Sequence, residues 1–379
     1  MKITEVELIC LNLPEKKEIA DSSQDAVVVK VHTDEGIIGV GEIDSHPSIV
    51  KAVVEAPMSH RDSHGVAELL VGEDPFDREV LWQKVYKKTA HYGRRGIAIQ
   101  VIGGIDIALW DIVGKACGKP ICKLLGGCFR NKVQAYASAL FPEDPREIVK
   151  QIANYVEIGF KGVKFGWGAF GLETSKDIQL VKAAREAVGK DIKLMVDAGE
   201  QWDASTAIER ARKLEEYNPF FLEDVLSPDD LNGYAKLTRA TSLRIAAGEA
   251  ETTRFPYRDL IEKGNVDVIQ PDVTRVGGIS EAQKIAWMAH DRGVMFIPHC
   301  WSTDILVAAT LQLLAAIPQE SLLEFCVTNK PLRKNLIVEP FSISKEGFVK
   351  VPEKPGLGIE LNEEIIKKYS RANLRIISA

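Results

Sequence analysis

Apolar and polar residues alternate with a period of two through "KITEVELICLNL" and again through "AVVVKVHTDEGIIGVGE". That is the pattern of half-buried strands, and Asp34-Glu35-Gly36 between two apolar runs predicts a hairpin turn. The period then lengthens. In "HPSIVKAVVEA", "DREVLWQKVYKKTA" and "IAIQVIGGIDIALWDIVGKACG" apolar residues recur at three- and four-residue spacing, which predicts helices, the last stopped by Gly118 and Pro120. Strands followed by helices describe a separate α+β domain.

After Gly126-Gly127 the rhythm changes to short apolar runs alternating with amphipathic ones. The strand candidates are "VQAYASA", "GVKFG", "IKLMVDAG", "FFLEDV", "RIAAGEA", "VDVIQPD", "VMFIPH" and "SLLEF". Between them lie helices such as "TSKDIQLVKAAREAVG", with Ser175 or Thr174 as cap and Gly189 as stop. Eight strands with intervening helices predict a parallel sheet closed into a barrel.

The residues at the carboxyl ends of these runs are Lys164, Asp197, Glu223, Glu249, Asp272, His299 and Glu324, spaced 23 to 33 positions apart, close to one strand-helix unit. In a barrel those ends converge on one face, so the seven would ring a single pocket. Taken singly, each acidic residue reads better as a helix N-cap, and His299 as a structural histidine. The repetition changes that reading. Asp197, Glu223 and Glu249 on consecutive strands would gather three like charges, costly unless a cation is bound. An all-oxygen donor set that leaves room for water and substrate suits Mg²⁺ rather than zinc. Asp272 and His299 end neighbouring strands, so the carboxylate can fix the imidazole tautomer and leave the other nitrogen for proton transfer. Lys164 would reach in from the opposite side, where a nearby dication disfavours its charged form and suits it to act as a base.

Composition narrows the partners. The chain has 379 residues, 45% hydrophobic and 27% charged, enough for one large or two ordinary domains. A net charge of −6 with both signs interspersed offers no face for nucleic acid and no tract for a membrane surface, which leaves a small molecule as the expected partner. There is no unbroken run of about 18 apolar residues, and the first residues begin a strand rather than a signal peptide, so a cytoplasmic location is expected. Six cysteines (Cys10, Cys117, Cys122, Cys128, Cys300, Cys326) contain no C-x-x-C pair and are all expected to be reduced; seven scattered histidines exclude a histidine-rich metal site.

The series "KFG", "VDAG", "LEDVLSPDD", "AAGE", "QPDVTRVGGISEA", "IPHCWST" and "LLEF" resembles the mandelate racemase subgroup of the enolase superfamily, in family order and spacing. "GIIGVGE" and "GGIDIALWDIVGKACGKPICKLLGG" look like that family's capping domain and its junction to the barrel. The resemblance implies an α/β fold, a C-terminal (β/α)7β TIM-like barrel with an N-terminal α+β capping domain. Its expected boundaries are 1–127 for the cap, 128–345 for the barrel and 346–379 for a segment returning to the cap. It also implies Mg²⁺ on Asp197, Glu223 and Glu249, a catalytic dyad of Asp272 and His299, Lys164 as a further base, and Glu324 at the substrate carboxylate. There Glu324 would serve best protonated, donating a hydrogen bond. Trp167 and Trp301 are expected to contact substrate, and a homo-oligomer is expected.

Three departures stand out. The family's Lys-x-Lys is here Lys164-Phe165-Gly166, its "VDAN" is "VDAG" at Gly199, and its "EEP" is Glu223-Asp224-Val225. Asp272 stands where muconate-cycloisomerase relatives carry a lysine base. The implied reaction is dehydration of a sugar acid to a 2-keto-3-deoxy acid, with racemisation or epimerisation of a 2-hydroxy acid as the alternative on the same site. Loops near "EIADSSQDA" and "DSHPSIV" are expected to close over the pocket and select the substrate. A remote alternative, a nicotinamide-dependent oxidoreductase, comes from "GWGAFG" at 166–171, which satisfies G-x-G-x-x-G after a strand and before a helix. A non-enzymatic binding protein would be expected to have lost members of the ring, and none is missing.

Overall fold

The computed structural model of the chain describes residues 1–370 and 374–378. Strands β1 (Ile3–Asn12), β2 (Asp25–Thr33) and β3 (Ile38–Ile43) form an antiparallel sheet, with the predicted hairpin between β2 and β3. Because Val27, Val29 and Val31 alternate along β2, one face is apolar; helices Pro47–Glu55, Arg78–Gly93 and Ile97–Ala116 bury it, all three where the periodicity put them. By length and composition the last of these is apolar enough to cross a membrane, yet 89% of its apolar window is buried. Its apolarity is that of a core helix. It packs on β3 on one side, while Asp106 and Trp110 reach across to Ser280 of the barrel helix Gly278–Arg292 on the other.

The eight parallel strands are β4 (Lys132–Leu140), β5 (Gly162–Gly166), β6 (Lys193–Asp197), β7 (Phe221–Glu223), β8 (Ile245–Ala247), β9 (Val268–Ile269), β10 (Met295–Phe296) and β11 (Leu322–Cys326). They follow one another from β10 down to β4 and then β11. No backbone ladder joins β10 to β11 among the described residues; Gln319 Nε2 donating to Val294 O at 2.7 Å and Ser321 Oγ to Phe296 O bridge that gap. Tyr136, Met195, Phe221, Ala246, Val268 and Ile297 fill the barrel's interior. After β11 the chain adds β12 (Phe348–Lys350) antiparallel to β4 and then β13 (Leu374–Ser378) antiparallel to β1, so the last segment touches both sheets.

Two local expectations are corrected. Helix Thr174–Val188 begins one residue earlier than Thr174 as cap would require and two earlier than Ser175 would: Glu173 holds the cap position, without a side-chain cap, while Gly189 ends the helix as expected. Cys122 and Cys128 are not reduced but form a disulfide, their Cα atoms 5.6 Å apart. The turn through Gly126-Gly127 folds the chain back and brings together two thiols that no spacing template pairs. Cys10, Cys117, Cys300 and Cys326 are free.

Candidate active site

Parallel register sets the neighbours at the carboxyl end of the barrel, pairing Gly166 with Asp197 and Asp197 with Glu223. One carboxylate oxygen from each of Asp197, Glu223 and Glu249 lies within 4.8 Å of the others. None of the three caps a helix. Asp197 Oδ1 accepts the Gly199 N–H at 2.8 Å, and the next helix, Ala204–Leu214, is capped by Asp203 instead. Glu223 accepts from Gln270 Nε2 at 2.7 Å and from Lys164, while Glu249 faces His299 Nε2 at 3.4 Å and Arg275 Nη1 at 3.5 Å. Burial first, and then mutual repulsion, pushes the Asp197 and Asp224 carboxyls well above the usual range; burial likewise raises Glu223 to about 7. A buried, all-oxygen cluster of this kind is unfavourable alone and is relieved by a dication, so the donor set fits one.

Lys164 lies across the cluster, bonded to Glu223, 2.8 Å from Glu324 Oε1 and 3.9 Å from Asp197 Oδ2. Burial disfavours its ammonium, but Glu223 and Glu324 outweigh that and hold it well above the usual lysine range. Glu324 departs from the protonated donor expected of it. Its two oxygens accept from Ser138 Oγ at 2.7 Å and from Cys300 N at 2.8 Å. Burial would raise its carboxyl, yet Lys164 and His299 bring it down to about 2, so it stands as a carboxylate. Asp272 and His299 are paired: His299 Nδ1 is 2.7 Å from Asp272 Oδ2, and Thr274 N donates to Asp272 Oδ1 at 2.7 Å. Burial opposes the imidazolium, but Glu249 and the Asp272 hydrogen bond raise His299 to about 9.

Lys164, Asp197, Glu249, His299 and Glu324 line a cavity of about 290 Å³ together with Trp167 and Trp301, while Glu223 and Asp272 are fully buried beside them. Both glycine departures, at the end of β5 and just after β6, stand where a side chain would be crowded. A Cβ on Gly166 would lie 2.6 Å from Asp197 Oδ2, so this backbone leaves no place for a second lysine. Gly199, at φ +58°, lies under the Trp167 ring, where a Cβ would come within 2.8 Å of the indole. The remainder of "GWGAFG" is tied to the protein: the Gly171 N–H donates to Asp177 at 2.9 Å, and its carbonyl accepts from Trp202 and Arg210 at 2.8 Å each. Asp197 belongs to the carboxylate cluster rather than to a ribose pocket, which takes from the dinucleotide alternative both of its parts.

Ala20, Asp21 and Ser22 of the first predicted loop line the cavity, and Asp21 Oδ1 accepts from Trp301 Nε1 at 3.3 Å. From the second loop, Asp44 pairs with Arg275. Two residues earlier, buried Glu42 accepts from Ser302 Oγ, from Thr303 Oγ1 at 2.7 Å and from Leu306 N at 3.0 Å, tying the sheet to the segment that carries His299. Burial raises the Glu42 carboxyl from 4.5 to about 7, against the hydrogen bonds from Ser302 and Thr303. The folded chain therefore keeps this proton where the unfolded one has lost it. That stabilisation is whole below pH 4.5 and is gone once the pH has risen through about 7. Relative to Glu42→Gln, which has no proton to lose, wild-type stability should fall by on the order of 3 kcal/mol across that range. Denaturation at several pH values checks it, and a constant difference would refute it.

Sequence reading missed Ser138, Gln270, Arg275, Asp224 and the two carboxylates of the β3 end, Glu42 and Asp44. Ser138 carried a usable signal: it sits at the carboxyl end of the first barrel run, the one strand end left out of the ring.

Comparison with known proteins points the same way. The family model described as "Enolase C-terminal domain-like" matches residues 147–365, and the one described as "Mandelate racemase / muconate lactonizing enzyme, N-terminal domain" matches residues 15–126. An arabinonate dehydratase of Saccharolobus solfataricus is 36% identical over 93% of this chain and 92% of its own length. A D-galactarolactone cycloisomerase of Agrobacterium fabrum is 34% identical, over 90% of each chain. The crystal structure of a racemase from Streptomyces coelicolor A3(2) with bound magnesium superposes with a TM-score of 0.86 at 26% identity, covering 97% of this chain and 100% of that one.

Proposed function

The chain belongs to the mandelate racemase and muconate lactonizing enzyme family of the enolase superfamily, and from that premise we propose that it is a Mg²⁺-dependent hydro-lyase that dehydrates a sugar acid to a 2-keto-3-deoxy acid. The observation that carries the reading is the convergence on one barrel end of three carboxylates, an Asp272–His299 pair 2.7 Å apart, and Lys164 three strands from His299 around the barrel. Asp197, Glu223 and Glu249 would hold the ion, which when bound supplies positive charge to offset what develops on the substrate carboxylate as the α-proton departs. Lys164 is held as the ammonium by Glu223 and Glu324 together, so it must first lose that proton to solvent, which a cation on Glu223 would favour by offsetting that carboxylate's charge; its neutral amine, or the His299 imidazole, then takes the α-proton. Protonated His299, oriented by Asp272, gives a proton to the 3-hydroxyl, which leaves as water. The enol that remains takes a proton at C3 and becomes the ketone. Glu324 stays ionised and fixes Lys164 and the Cys300 backbone.

A second reading keeps the same groups for racemisation, epimerisation or lactone cycloisomerisation, with Lys164 and His299 serving opposite faces of one carbon. It is favoured by the cycloisomerase among the relatives and by the placing of the two bases. The dehydratases among the relatives, of arabinonate and of D-galactonate, and the loss of a second lysine at Gly166 favour dehydration. Screening aldonic and aldaric acids with Mg²⁺ for a 2-keto product tests the choice; isomerised acid without keto acid from any of them would decide for the second reading.

A further inference from the structure

The end of β3 reaches the proposed metal ligands through one half-buried arginine. Arg275 Nε and Nη2 both lie 2.7 Å from Asp44 Oδ2, whereas Nη1 is 3.5 Å from Glu249 Oε1 and 3.4 Å from the Glu249 carbonyl. Of the carboxylates around it, Asp272 takes only its backbone N–H, at 3.3 Å. The guanidinium is therefore shared unequally, tightly with the cap and loosely with the site. A cation beside a metal ligand competes with the ion for that ligand's charge, and in a partly buried setting the competition is much less screened than at the surface.

We propose that Asp44 is a positioning residue that draws Arg275 off Glu249 and so keeps that carboxylate available to a divalent cation. The inference rests on the reading that Asp197, Glu223 and Glu249 take such an ion. Without the Asp44 charge, the freed Nε–Nη2 edge of the guanidinium swings onto Glu249 and displaces the metal. The cap thus sets the metal affinity of the barrel.

Calorimetric titration of the full-length protein with MgCl₂, with circular dichroism on every variant, reads the effect. Asp44→Asn should weaken Mg²⁺ binding about tenfold or more, the scale typical of groups that orient metal ligands. Adding Arg275→Met to Asp44→Asn should restore wild-type affinity, which a general loosening of the cap would not do, and Arg275→Met alone should bind no more weakly than wild type. Wild-type affinity in Asp44→Asn, or equal weakness in the single and double variants, overturns the proposal. Should Asp44→Asn not fold, Arg275→Met alone decides, weakened binding there counting against it. A wild-type protein that binds no Mg²⁺ removes the metal reading itself, an outcome distinct from the variant results.

Discussion

His299→Asn is expected to lose dehydration by a factor on the order of 10² to 10⁴, the usual contribution of one general acid-base group, while keeping exchange of the substrate α-hydrogen with solvent. The asymmetry follows from geometry. An asparagine amide can still donate to Asp272, so the pocket keeps its shape, but it has no proton to give a departing hydroxyl. Lys164 sits three strands away around the barrel, held by Glu223 and Glu324 and not by the dyad, so its access to the α-carbon does not depend on His299. Turnover assays and proton NMR in deuterated buffer separate the two steps. Loss of both together would make His299 the base that starts the reaction, and an unchanged dehydration rate would remove it from the mechanism.

The second large effect is on the carboxylate cluster. Glu249→Ala should abolish turnover and leave the ion-free protein at least as stable as wild type, because it deletes one of several buried like charges and breaks only looser contacts to His299 and Arg275. Asp197→Ala and Glu223→Ala should be equally inactive, with some loss of stability, since Gly199 N and Gln270 lose their acceptors. Thermal melts with and without Mg²⁺ give the check. Ion at about a hundred times its dissociation constant adds about 2.7 kcal/mol to the wild type and should add nothing to the variants. A variant that melts higher with Mg²⁺ to the same extent as wild type would show that the ion, if bound, sits elsewhere.

The strand ends were legible because a barrel converts a regular interval in sequence into a ring in space. Lys164, Asp197, Glu223, Glu249, Asp272, His299 and Glu324 could be named before any coordinate, and the family resemblance gave them an order of roles. What stayed hidden depends on contacts that sequence intervals do not encode. Asp44 meets Arg275 across 231 positions and Glu42 meets Thr303 across 261, between domains whose docking no periodicity describes. The ionisation of Glu324 could not be read either, since it is decided by Lys164 and His299 beside it and supported by Ser138. Gly166 and Gly199 looked like losses from the family pattern; only their closeness to Asp197 and to Trp167 shows that each position is crowded. The disulfide was missed because two cysteines six apart fit no metal template, and the turn that joins them was read as a domain boundary.

The most direct test of the account is where solvent deuterium ends up. Wild-type protein with Mg²⁺ and a panel of aldonic and aldaric acids, run in deuterated buffer and followed by NMR, should yield from at least one acid a 2-keto-3-deoxy product labelled at C3. Label confined to C2 of unchanged or epimerised acid throughout the panel would contradict dehydration and establish racemisation or epimerisation as the reaction of this site.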